Sequence, residues 1–308
     1  MKTLFLFLAL ALPNLLFCQQ IADTGYHPVI NDPAYGAGLG PVVFIDGGHH
    51  NFHTKEGRYK PFASLLERDG YVVKAYEGPF VLTKLIESRI LVIANALNEL
   101  NVEDWYLPTP SAFTREEINV LVEWVRLGGC LFLIADHMPM AGAAKALASE
   151  FGFEFTNGFA FNINKSGPAF FSIENGTLKE SLITKGRDPS ESIDHIVTFT
   201  GQGFKIPDDA KPVLVFDKNY FNFLPDTAWV FHKETPKYGI EGLSQGAYKK
   251  FGKGKIAVFG EAAMFTAQLT GPGKTKAGMN SAIADENYRL LLNIIHWLYG
   301  LDLEEPAM

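Results

Sequence analysis

The sequence is poor in several things, and each shortage removes a class of protein. It holds 2 cysteines in 308 residues, Cys18 and Cys130. That excludes a disulfide scaffold, so stability must come from a core, which a chain of this length can bury. Basic charge is short as well: 27 Lys and Arg against 34 Asp and Glu leave a net charge of −7. No Lys/Arg cluster is large enough to reverse that balance, which argues against nucleic acid as a partner. Apolar runs of the roughly 20 residues that span a bilayer are missing, so no membrane span is expected. Metal and nucleotide signatures are absent too. There is no H-E-x-x-H or paired C-x-x-C, and "GPGKTKAG" lacks the G-x-x-x-x-G-K-[ST] spacing of a phosphate loop.

What is present begins with a leader. Lys2, the apolar run Leu4 to Leu12 and the Pro13-Asn14 break have the layout of a signal peptide over residues 1–18. Export to the periplasm or the exterior is therefore expected. The bulky Phe17 before Cys18 argues against a lipid-anchored form. A Pro/Gly-rich lead-in covers 19–40.

From residue 41 the chain alternates. "PVVFID", "YVVKAY", "RILVIAN", "CLFLIAD" and "GKIAVFGE" are apolar throughout, as strands buried on both faces are. Between and after them lie helical patterns, the clearest being "TREEINVLVEWVRLGG", where Thr114 and Glu117 have capping-box spacing. The expected fold is α/β and flavodoxin-like: a mainly parallel sheet with helices on both faces, forming a single domain over 41–300. Residues 156–250 break the rhythm with "IVTFTG", "PVLVF" and "TAWVFH", read as a β-rich insertion. Cys130, inside a buried-strand pattern, reads as a small core hydrophobe.

Four strands end in a polar residue: Asp46, Asn95, Asp136 and Glu261. Ligands of open α/β sheets bind beyond the strand carboxyl ends, so these side chains are expected along one crevice. The loops there also carry His49, His50, Asn51 and His53 after the first strand, and His137 after the fourth. His50, His53, His137, Asp136 and Glu261 are the catalytic candidates, as general acids and bases or their orienting partners. Asp46, His49, Asn51, Asn95, Gln268, Asn280 and Asn287 are the ligand-binding candidates. His50, His53 and His137 are also candidate ligands for a divalent metal such as zinc. Trp105 and Tyr106, in a long loop after Asn95, would suit stacking on a sugar. "GPGKTKAG" reads as a flap over the site, and His27, His195, His232 and His296 as structural.

The set "IDGGHHNFHT…GRYKPFASLLERDGY", "ILVIANAL", "FTREEINVLVEWVRLGGCLFLIADHMP" and "VFGEAAMF…NYRLLLNIIHWLYG" resembles a bacterial family of domains of unknown function. That family has the class I glutamine amidotransferase-like fold and is related to gliding-motility transporter-associated and intraflagellar-transport domains. The resemblance covers about 40–160 and 250–300. It implies a fold and no established reaction. Amidotransferases of this fold carry a cysteine at the turn after the fourth strand, where this chain has His137-Met138, so cysteine-dependent glutamine chemistry is not expected. Two functions stay open: a hydrolase acting on a small polar ligand such as a carbohydrate, or a non-catalytic domain binding a ligand or partner.

Overall fold

A computed structural model describes residues 20–301. The expected signal peptide over 1–18, with the question of Cys18, lies outside the described residues.

The apolar runs become the strands β1 (Val42–Asp46), β2 (Val72–Tyr76), β3 (Ile90–Ala94), β4 (Cys130–Ile134), β5 (Ser244–Phe251) and β6 (Gly254–Phe259) of a nine-stranded sheet. Four long helices accompany them: α1 (Lys60–Arg68), α2 (Arg115–Arg126), α3 (Met140–Glu150) and α4 (Asn287–Tyr299). Five strands are parallel, in the order β2-β1-β3-β4-β6. This is the doubly wound order in which the chain winds one way from β1 and the other way from β3, leaving a crevice between them.

Strand alternation divides the core. Val43 and Ile45 of β1 face one side, packed with Phe62 and Leu66 of α1 and Leu291 and Ile294 of α4. Phe44 faces the other, with Ile118 and Leu121 of α2 and Leu147 of α3. The capping box at α2 is present: the Glu117 amide donates to Thr114 Oγ1 (3.2 Å), and the Thr114 amide donates to Glu117 Oε2 (2.9 Å). Cys130 is buried in β4.

The flavodoxin-like expectation holds only for the parallel half. β5 lies inside the stretch read as an insertion, yet it pairs antiparallel with β6 in the central sheet. Beyond β5 the sheet continues through Phe204–Lys205 and Glu154–Phe155, both antiparallel. Phe159–Asn162, Tyr220–Phe223 and Lys237–Gly239 make a separate three-stranded sheet. "IVTFTG" and "PVLVF" supply the strands His195–Thr198 and Lys211–Val215, whereas "TAWVFH" is an irregular loop. The "GPGKTKAG" stretch is no free flap: it is the turn and second strand of a hairpin, Ala267–Thr270 with Thr275–Gly278, and Gln20–Ala22 pairs along its outer edge. Among the described residues no helix is long and apolar enough to cross a membrane.

Candidate functional site

The crevice between β1 and β3 opens into a cavity of about 300 Å³ at the strand carboxyl ends. His53 enters from the loop after β1, Asn95 and Trp105 from the loop after β3, Asp136 and His137 from the turn after β4. Glu261 follows β6, and Gln268 comes from the hairpin. Three of the four polar strand ends and two of the loop histidines thus share one enclosure.

Glu261 is, with Asn95, the most deeply buried of these. Its Oε1 accepts the Ala263 amide (2.9 Å) and its Oε2 the Met264 amide (2.7 Å). Burial, and next the negative charge of Asp136, push its pKa well above the ordinary carboxyl value, so it holds a proton where Asp136 supplies the opposing charge. The backbone fixes its place. Gly201 has φ +87, and a Cβ there would lie 2.2 Å from the Gly260 carbonyl oxygen; a Cβ on Gly260 would lie 2.5 Å from that of Gln202. Only glycine lets these two segments touch, and the touch sets the strand end that carries Glu261.

The two histidines are wired oppositely. Asn95 Oδ1 accepts the Asp136 amide (2.8 Å), which turns its Nδ2 toward His53 Nδ1 (3.2 Å). His53 must therefore accept at Nδ1 and carry its proton on Nε2. His137 Nδ1 lies 2.7 Å from the Met138 carbonyl and donates to it, which leaves Nε2 as a bare lone pair. Both rings are neutral at ordinary pH. Burial, assisted by the Arg58 charge, pulls His53 down to about 3, and burial lowers His137. The cavity thus offers one N–H donor and one nitrogen acceptor, the pair a hydroxyl group needs to donate and accept at once.

Aromatic rings make the wall. Phe52 meets Trp105 edge-on at 5.3 Å, with the Arg58 guanidinium 3.7 Å above the Phe52 ring. His137 stacks on Phe159 (4.1 Å), and Trp229 meets His137 edge-on at 4.7 Å. Trp229 has φ +67, a left-handed conformation that costs a bulky residue on the order of 1–2 kcal/mol. It is nevertheless 52% exposed at the cavity wall, so the fold holds a strained indole where a ligand would meet it. Trp229→Ala is expected to leave the melting temperature nearly unchanged and to weaken ligand binding about tenfold, the worth of one aromatic contact. Calorimetric titration with whichever sugar stabilises the protein measures it.

Other candidates lie elsewhere. Asp46 shares the Phe44 side of β1, away from the cavity, and both its oxygens lie 3.0 Å from His49 Nδ1. His49 Nε2 reaches Glu117 Oε1 at 2.9 Å, and the ring stacks on Phe80 at 4.3 Å. Asn51 is occupied by the backbone, accepting the His49 amide and donating to the Ala94 carbonyl. His50 is exposed, with φ +47, and does not line the cavity. Asn280 ties Asp23 to the Gln268 carbonyl, and Asn287 bridges Val197 and Met264. Tyr106 is exposed beside Trp105 without lining the cavity. Among the described residues no three His, Cys, Asp or Glu side chains group as a metal would require. The zinc expectation gains no geometry, because His50 stands apart from the cavity that His53 and His137 line. Phe52, Phe199, Thr200 and Trp229 also line the cavity; the sequence gives the first three no role and reads Trp229 as a core aromatic.

Compared by sequence, the chain matches no protein family and no curated protein. Among solved structures it is similar to the N-terminal domain of mmIFT52, at 14% identity and a TM-score of 0.59, covering 86% of this chain and 100% of that one. It is also similar to cytoplasmic protein STM1381 of Salmonella typhimurium LT2 (12% identity, TM-score 0.49, 83% and 98% covered). A ThuA-like protein from Bacteroides uniformis ATCC 8492 is a third (12%, 0.47, 87% and 96%). The mmIFT52 likeness shows the fold alone, and it agrees with the fold that the sequence resemblance implied.

Proposed function

We propose that the protein binds a small, hydroxyl-bearing polar ligand, carbohydrate in character, in the cavity beyond β1, β3, β4 and β6 and hydrolyses it. The observation that carries the proposal is the carboxyl pair: Glu261 and Asp136, both buried, line one cavity, and burial together with Asp136 raises the pKa of Glu261. Two carboxyl groups held in opposite protonation states are the means by which acid and base act together near neutral pH. Glu261 would donate to the leaving oxygen while Asp136 receives a proton from water. His53 Nε2–H and His137 Nε2 would hold one hydroxyl between them, and Trp105 and Trp229 would pack on the ligand's apolar faces. A signal peptide over the first 18 residues would bring the protein to substrates outside the cytoplasm.

A second reading rests on Glu261 as well. Both its oxygens already accept backbone amides, as a residue that only shapes a binding cavity would have them. The test covers both readings. Gluco-, manno- and galacto-configured disaccharides are incubated with the protein, and thermal unfolding and reducing-end release are followed. Hydrolysis predicts a rise of several degrees, with ~2.7 kcal/mol gained at a hundred times Kd, and release of reducing ends. Stabilisation without release establishes the binding domain instead. Neither effect with any sugar overturns the proposal.

A further inference from the structure

A second space lies beside the cavity's aromatic wall. A groove of about 650 Å³ runs alongside it, and Phe199 and Thr200 line both. The rings are continuous too: His137 stacks on Phe159, and Phe159 stacks on Phe161, which lines the groove (5.9 Å, 23° between planes). The two spaces are thus neighbours that share part of their wall.

Their chemistries differ. The cavity holds the carboxyl pair. The groove holds no Asp or Glu: its polar lining is Asn162, Asn164, Lys165, Ser166, Thr200 and the phenol of Tyr220. Asn162 Oδ1 accepts the Asn164 and Lys165 amides (2.9 and 3.1 Å), which shapes the loop so that Lys165 and Ser166 stand exposed along it. Tyr220 is braced by Phe216 at 4.9 Å. Amide, hydroxyl and ammonium groups beside aromatic rings suit repeated hydroxyl-bearing units, and they contain nothing able to cut a bond. Size agrees. Ligand sites run from roughly 300 to 1,000 Å³, so the cavity alone sits at the lower limit, while cavity and groove together approach the upper one.

We infer that the groove is an extension subsite and that the substrate is an oligosaccharide chain. One unit lies in the cavity at Glu261 and Asp136, and the following units lie along Phe161, Tyr220 and the 162–166 loop. This rests on the carbohydrate reading of the cavity.

The test is a length series, one to five units, of whichever gluco-, manno- or galacto-configured sugar stabilises the protein, titrated by calorimetry. Affinity is expected to rise at least tenfold from one unit to three and then to level off. Tyr220→Ala should reduce trisaccharide affinity about tenfold. Lys165→Ala, at an exposed loop position that folding does not depend on, should reduce it severalfold. Equal affinity at every length, or no loss in either variant once folding is confirmed by circular dichroism, overturns the extension and leaves the cavity reading standing. If no sugar of any length binds, the cavity reading itself fails, and the extension with it.

Discussion

His49→Ala is expected to lose about 3–5 kcal/mol of folding stability, far more than its one ring would suggest. The imidazole lies between Asp46 and Glu117, with a ring nitrogen 3.0 and 2.9 Å from each carboxylate. Only the protonated ring can donate to both. Burial alone would lower its pKa, but the hydrogen bonds and charge of Asp46, then of Glu117, outweigh that and raise it. Glu117 is held down at about 2: burial opposes ionisation, and His49, Thr114 and Phe80 as donors overcome it. Alanine leaves two carboxylates out of water without their cation. The pH dependence has two arms. A raised histidine stabilises fully below its unfolded value of about 6.5 and loses that as pH rises through its folded pKa. A lowered Glu117 stabilises fully above its ordinary 4.5 and loses that as pH falls through about 2. Denaturant unfolding should therefore show the wild type's advantage over His49→Ala greatest between about pH 4.5 and 6.5. A loss under about 1 kcal/mol would mean that water reaches the pair, as it does at exposed salt bridges.

The second large effect belongs to Glu261→Gln. On a substrate found by the disaccharide screen, turnover should fall on the order of 10²–10⁴-fold, the contribution of a positioned general acid. In the wild type, activity should decline as pH rises through the raised pKa of Glu261; in the variant that limb disappears. Asp136→Asn removes the neighbouring charge, so the residual activity should carry the same limb displaced to lower pH. A merely structural Glu261 would move neither limb. Stability separates the roles further. An amide nitrogen cannot accept, so glutamine satisfies only one of the Ala263 and Met264 amides, costing about 1–3 kcal/mol in acid. The wild type's own advantage is complete below pH ~4.5 and fades as pH rises through Glu261's folded value, so the gap should narrow in alkali. Unfolding at pH 5 and pH 9 measures it.

These contrasts show what a sequence can and cannot display. Asn95, Asp136 and Glu261 were legible because each closes an uninterrupted apolar strand, and doubly wound sheets bind at that edge. Asp46 closes such a strand too. Its parity with Phe44 turns it to the opposite face, where Glu117, 68 residues beyond His49, supplies the second carboxylate. Thr114-x-x-Glu117 was visible as a capping box, while its second duty as partner to a buried imidazolium has no local signature. Trp229 was hidden differently. "TAWVFH" has the composition of a strand, and only the left-handed backbone at its centre makes it a cavity wall. β5 was obscured by its Gln245-Gly246 start and charged Lys249-Lys250 end, which mask a strand paired on both edges.

Asn95 has a consequence for how this site can evolve. One side-chain amide, held by the Asp136 amide on one side, dictates the tautomer of His53 on the other. Asparagine and aspartate codons differ by a single nucleotide. An aspartate of the same shape would accept at both oxygens, oblige His53 to donate from Nδ1, and bare the lone pair of Nε2 instead. The cavity would keep its volume and its walls while exchanging a donor for an acceptor. Under the proposed function, one point mutation would reverse the sense in which the cavity reads a ligand's hydroxyl group.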